Sequence, residues 1–171
     1  MKQERQDKKE LFAEPKKKGA AGTLLAVAGL LVVIAAVAGW LLTGQDGADG
    51  YTVLKADNGE VRIALAEVSD GQAHYFTHSA DGTDVDFFVV KSVDGVVRSA
   101  FDACDVCFHE KKGYRQEGNF MVCNNCDMQF RTDLINEVKG GCNPAPLDRR
   151  IEGEQMVITT ASIAGGRRYF N

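Results

Sequence analysis

Two Cys-x-x-Cys pairs, Cys104/Cys107 and Cys123/Cys126, stand fifteen residues apart. No other feature restricts this chain's folding so tightly. A tight knuckle aims two thiolates three positions apart at one ion about 2.3 Å away, and a second knuckle completes a tetrahedral shell. The spacer lets the chain return to the ion. This is the spacing of a structural zinc ribbon. It marks a thiolate metal site without naming the metal, because four thiolates also hold iron–sulfur clusters and suit Cu(I).

Other uses of the four thiols carry less weight. Two disulfides are compatible with a compartment outside the cytoplasm, but C-x-x-C spacing is more typical of ligands or redox dithiols. A thioredoxin-like dithiol calls for a βαβ setting that the sequence does not show. A c-type haem requires C-x-x-C-H, whereas Phe108 follows Cys107 and Asp127 follows Cys126. Cys142, in "GGCNPAPL", is the odd thiol. It reads either as a buried small apolar residue or as a fifth ligand or redox partner, aimed inward by its Gly-Gly bend. His109 is a spare donor near Cys107 or a solvated loop residue. His74 and His78 share one face of a strand and, with the methionines, make a copper-binding face imaginable. No nucleophile elbow, H-E-x-x-H, P-loop or calcium loop is present.

Residues 20–42 carry no charge over 23 positions, enough for a helix to cross a bilayer. Lys16, Lys17 and Lys18 precede this run and the next basic residue is Lys55. The positive-inside rule therefore puts the N-terminus in the cytoplasm and the rest outside. A signal peptide cleaved after Ala38 is the alternative, and the long apolar run favours an uncleaved anchor. The N-terminal 19 residues hold seven Lys/Arg and four Asp/Glu, and residues 43–171 the other thirteen and twenty, a net of −7. An acidic main domain repels phosphate backbones, which excludes nucleic acid as a partner.

Residues 43–50 read as a Gly/Asp-rich linker. Beyond it, "YTVLKA" and "VRIALA" around "DNGE" predict a hairpin, and 73–78, 85–92 and 96–101 predict further strands joined by Asp-Gly turns. Residues 131–141 predict one short helix with Leu134, Ile135 and Val138 on one face. Residues 154–163 predict a final strand. Phe87, Phe88, Phe101, Phe120 and Phe130 are candidates to cover the metal centre.

The run "DFFVVKSVDGVVRSAFDACDVCFHEKKGYRQEGNFMVCNNCDMQF", followed by "INEVKGGCNPAPL", resembles the FtrD-like membrane iron–sulfur domain over about residues 73–160. The resemblance implies that Cys104, Cys107, Cys123 and Cys126 match the family's cysteine motif, with Cys142 in the trailing one. It also implies an extracytoplasmic, membrane-attached protein that handles metal, including ferrous iron uptake with a permease and electron carriers.

The resulting expectation is a mainly β (α+β) protein in four parts: a basic cytoplasmic tail (1–19), a transmembrane helix (20–42), a linker (43–50) and an extracytoplasmic antiparallel β domain (51–171). That domain carries a zinc-ribbon-like site for an iron–sulfur cluster or another thiolate-bound metal (Fe, Zn or Cu). The expected role is that of an electron-transfer or metal-handling accessory rather than a catalyst, with a membrane permease or electron carrier as partner. A structural Zn-S4 interaction module and an extracytoplasmic thiol–disulfide oxidoreductase are the alternatives.

Overall fold

Strand β5 (Thr83–Lys91) explains the architecture. Its run Val85–Val90 is apolar at nearly every position, as expected of a strand covered on both faces. Phe87 and Val89 enter one core, and Phe88 and Val90 enter another. Strand β4 (Ala73–Ala80) pairs with β5 across Asp81-Gly82, both at positive φ (49° and 83°), which is the two-residue hairpin turn that favours Asp-Gly. On the other side β5 pairs with β6 (Val97–Phe101).

The computed structural model describes Gln45–Asp46 and residues 50–171. The tail, the apolar run 20–42 and most of the linker lie outside the described residues. Among the described residues no helix is long and apolar enough to cross a membrane.

The first sheet has the order β1-β2-β4-β5-β6, with β1 at Gln45–Asp46 and β2 at Thr52–Val53. Its pairs are antiparallel except β2 with β4, where Thr52 sits beside Phe76 in parallel register. The second sheet joins β3 (Glu60–Ala64) and β10 (Arg150–Glu152) to either side of β11 (Gln155–Thr159). The third is a meander of β7 (Tyr114–Glu117), β8 (Phe120–Cys123) and β9 (Gln129–Arg131). One core fills the space between the first two sheets. The other holds the thiols against the opposite face of β5.

Three sequence expectations need correction. The predicted 51–66 hairpin does not form. Asn58-Gly59 does make a tight turn that bridges Asp57 and Glu60, but β2 then pairs with β4, and β3 with β11. Pairing with distant strands buries Val61 and Ile63 completely, or nearly so, which a two-stranded ribbon cannot do. The predicted helix over 131–141 is a single 3-10 turn, Thr132–Leu134. Ile135 is extended and buried, Asn136 takes a left-handed φ of 72°, and Leu134 and Val138 stay exposed. The segment thus places one anchor rather than a helical face. The predicted strand 154–163 ends at Thr159, whose hydroxyl accepts the Ser162 amide at 3.1 Å and caps the short helix α1 (Thr160–Ala164).

Phe87 is fully buried and stacks on Phe76 at 5.7 Å. Phe87→Ala is expected to destabilise the domain by about 3–5 kcal/mol, read as a shift of the urea midpoint at unchanged slope.

Candidate metal centre

Three chain segments deliver the thiols. Strand β6 runs out through Asp102 to Cys104, and the Cys107 amide turns back to donate to the Cys104 Sγ at 3.0 Å. A 3-10 turn, Phe108–Glu110, and a left-handed Lys111 then reverse the chain into β7. The β7–β8 pairing sets Tyr114 opposite Cys123. The second knuckle follows, closed by the Asp127 amide donating to the Cys123 carbonyl at 2.9 Å, with Asp127 at φ 56°. It is tied to the first by Asn124, whose amide and side chain donate to the Gly113 and Lys112 carbonyls at 3.0 and 2.8 Å. The third segment is the Gly140-Gly141 bend, both glycines at positive φ. The Tyr114 hydroxyl donates to the Cys142 carbonyl at 2.6 Å and fixes this loop over the centre.

All five cysteines are free thiols. Their sulfurs form two overlapping triads, Cys104/Cys107/Cys142 and Cys107/Cys123/Cys126, each with every Sγ within 4.8 Å of the others. Cys107 belongs to both, and its Sγ is 3.9 Å from that of Cys142. Two thiolates on one tetrahedral ion lie about 3.8 Å apart when the bonds are about 2.3 Å, so these spacings suit shared metal ligation. Cys104 and Cys123 are buried, Cys107 and Cys142 half-buried, and Cys126 exposed. The centre is closed on the core side and open at Cys126.

Of the five phenylalanines considered as cover, Phe88 and Phe130 serve, each about 6.2 Å from the Tyr114 ring. Phe87 and Phe101 belong to the other core, and Phe120 is exposed. The principal wall is Tyr114, backed by Tyr75, whose hydroxyl donates to the Tyr114 carbonyl at 3.0 Å. Their part depends on non-local packing, and no sequence motif announces it. The histidines stand elsewhere. His74 Nε2 meets Asp70 at 2.8 Å, His78 Nδ1 meets the Leu54 carbonyl at 2.9 Å, and His109 lies exposed with its ring against Phe108. Among the described residues, none of the three joins a metal-binding group.

A cavity of about 190 Å³ opens beside Cys104, Cys107 and Cys123. Asp102 lines it, buried, with its carboxylate accepting the Tyr51 hydroxyl at 2.6 Å and the Tyr114 amide at 2.8 Å. Asp102 therefore ties β6, β7 and the start of the domain together next to the thiols.

The electrostatics follow from burial and crowding. The Asn125 side chain works downward on Cys107, but burial and the neighbouring thiols prevail and push it up to about 12. Burial pushes Cys142 up, while the Met128 amide pulls the exposed Cys126 down. Metal uptake must therefore displace protons from the inner thiols. Asp102 is pushed up to about 6, chiefly by burial, against the lowering effect of its Tyr51 and Tyr114 donors. An acid whose pKa rises on folding binds its proton more tightly in the folded state. Its stabilisation is full below the unfolded value of about 3.9 and is lost as pH rises towards the folded value. Stability is expected to fall by on the order of 2–3 kcal/mol between about pH 4 and the folded value near 6. Asp102→Asn, which cannot ionise, is expected to flatten that slope in urea titrations across the interval.

The profile of the family described as "Membrane iron-sulfur containing protein FtrD-like" matches residues 68–170, a span that includes all five cysteines. The chain belongs to the FtrD-like family. The family's description names a membrane protein containing an iron–sulfur centre, and the thiol donors gathered in this FtrD-like domain are of the kind that holds such a centre. No curated protein sequence matches the chain significantly. Among solved structures, the FtrD-like domain is similar to the quaternary ammonium Rieske monooxygenase CntA in an inhibitor complex, with a TM-score of 0.40, 15% identity, and coverage of 57% of this chain and 29% of that one. It is also similar to the apo form of that enzyme, with a TM-score of 0.37, 17% identity, and coverage of 57% and 31%. The matched region thus spans under a third of that enzyme's chain in both structures.

Proposed function

We propose that this protein is a membrane-anchored, extracytoplasmic electron-transfer accessory to metal uptake, ferrous iron being the favoured cargo. Cys104, Cys107, Cys123 and Cys126 act as ligands of an iron–sulfur centre. The observation that carries this reading is the meeting of thiols from separate segments around Cys107, against an aromatic wall. A bound cluster supplies one-electron transfer at a potential set by burial and by hydrogen bonds to sulfur. The residues on hand serve those ends. The Cys107 amide donates to the Cys104 sulfur, and Tyr114, Phe88 and Phe130 exclude water from the core side. Exposed Cys126 supplies an edge where an electron carrier can approach.

In this reading residues 20–42 span the membrane, the basic tail 1–19 stays in the cytoplasm, 43–50 is a linker whose Gln45–Asp46 stretch pairs onto the edge of the first sheet, and 51–171 is the working domain. The partner is a membrane permease or its electron carrier. The family's membrane and iron–sulfur description supports the setting. The deciding experiment is metal and acid-labile sulfide analysis of the full chain, purified in detergent without oxygen. Iron with matching sulfide and a brown visible spectrum is expected. One zinc per chain and no colour would replace electron transfer with a structural Zn-S4 module. No metal and a dithiol that cycles would identify a thiol oxidoreductase.

A further inference from the structure

The two Cys-x-x-Cys knuckles already supply four thiolates, the number that closes a tetrahedral shell or holds a cluster. Cys142 is a fifth thiol in the same cluster. It is not a stray one. The Tyr114 hydroxyl grips its carbonyl at 2.6 Å, and the Asn143 amide and side chain close the Gly140 turn at 3.2 and 2.9 Å. These bonds hold the Cys142 Sγ at 3.9 Å from that of Cys107, with both side chains half-buried and so reachable by a small oxidant. A disulfide needs the two sulfurs to approach from 3.9 Å to about 2.05 Å, an adjustment that the glycine bend at 140 and 141 can absorb while the Tyr114 hydroxyl keeps the loop over the centre. Cys107 is also the thiol common to both triads, so its loss breaks both at once.

We propose that Cys107 and Cys142 form a reversible disulfide that closes the metal site under oxidising conditions. The proposal rests on the reading of the four paired cysteines as metal ligands. On that reading those four sulfurs would hold the metal, which would leave Cys142 as the thiol open to oxidation. With hydrogen peroxide as oxidant, the Cys142 thiol gives a sulfenic acid and one water. The Cys107 thiolate, no longer serving as a ligand, would attack the Cys142 sulfur 3.9 Å away. An S–S bond forms, the S–O bond breaks, and hydroxide departs. Two electrons pass from the two sulfurs to peroxide. A dithiol reductant reverses the bond and restores Cys107 as a ligand.

The test uses the full chain, purified anaerobically with its metal and titrated with hydrogen peroxide. Metal release is followed with a chromogenic chelator, and disulfides are mapped by mass spectrometry after alkylation. The expected result is release in step with a Cys107–Cys142 disulfide, reversed by dithiothreitol and added metal. In Cys142→Ser, the fraction of its own bound metal released at a given peroxide dose is expected to fall at least tenfold and not to be recovered by dithiothreitol. Metal-loaded protein whose disulfide joins another pair, or a Cys142→Ser variant that releases its metal as readily as the wild type, would overturn the switch alone. Wild-type protein that holds no metal as purified would overturn the proposed function, and the switch with it.

Discussion

Serine at position 107 is expected to empty the centre. Cys107 alone belongs to both thiol triads, so Cys107→Ser leaves Cys104/Cys142 and Cys123/Cys126 as separate pairs. A hydroxyl is a hard and weakly acidic donor, poorly suited to a site built from soft thiolates. Metal affinity is expected to fall by about 100-fold or more, beyond the range seen when only the groups supporting a ligand are lost. Cys126→Ser supplies the comparison. Cys126 is exposed and belongs to one triad only, so its removal leaves the junction at Cys107 in place, and the loss of metal is expected to be smaller. Competition with a coloured chelator measures both variants. Equal retention of metal by Cys107→Ser and wild type would show that the triads do not share a ligand.

The second large effect is steric. Gly113 has φ +61°, and a Cβ there would lie 2.0 Å from Asp102 Oδ2 and 2.6 Å from its Cγ. Asp102 cannot simply step aside, because the Tyr51 hydroxyl and the Tyr114 amide both depend on its carboxylate. Gly113→Ala therefore combines left-handed backbone strain, about 1–2 kcal/mol, with loss of buried hydrogen bonds at about 1–3 kcal/mol for each group left unpaired. A destabilisation of about 3–5 kcal/mol is expected, together with weakened metal binding as the start of β7 shifts. Gly118 separates the two causes. It has a similar φ of +57° but nothing within 4 Å of the added Cβ, so Gly118→Ala should cost only about 1–2 kcal/mol. Urea titrations of the two variants that gave equal shifts would remove Asp102 from the account.

The parts of this protein that were legible in its sequence are those governed by local rules. Alternation and Asp-Gly turns placed β4, β5 and β6; between β4 and β5 a two-residue turn at positive φ leaves the strands little choice of partner. The cysteine spacing anticipated that the two knuckles would meet, and the structure brings them together around Cys107. Long-range competition hid the rest. Nothing near Thr52 or Val61 says that one segment pairs with β4 and the other with β11. The 131–141 segment has helical spacing, yet only Ile135 finds a buried place, and Asn136 turns the chain. Tyr114 and Asp102 carry no motif. Their importance comes from contacts with Cys142, Tyr51 and each other, made across 12 to 51 positions of chain.

Phe87 and Phe88 face opposite ways from one strand, and the core that Phe87 joins contains no cysteine. The first two sheets can therefore reach their packed state before any metal arrives, unlike small zinc domains whose folding free energy is their metal-binding free energy. The β7–β9 meander and the Gly140-Gly141 loop are then the parts left to close around the incoming centre. Maturation becomes a late, local step on a finished platform.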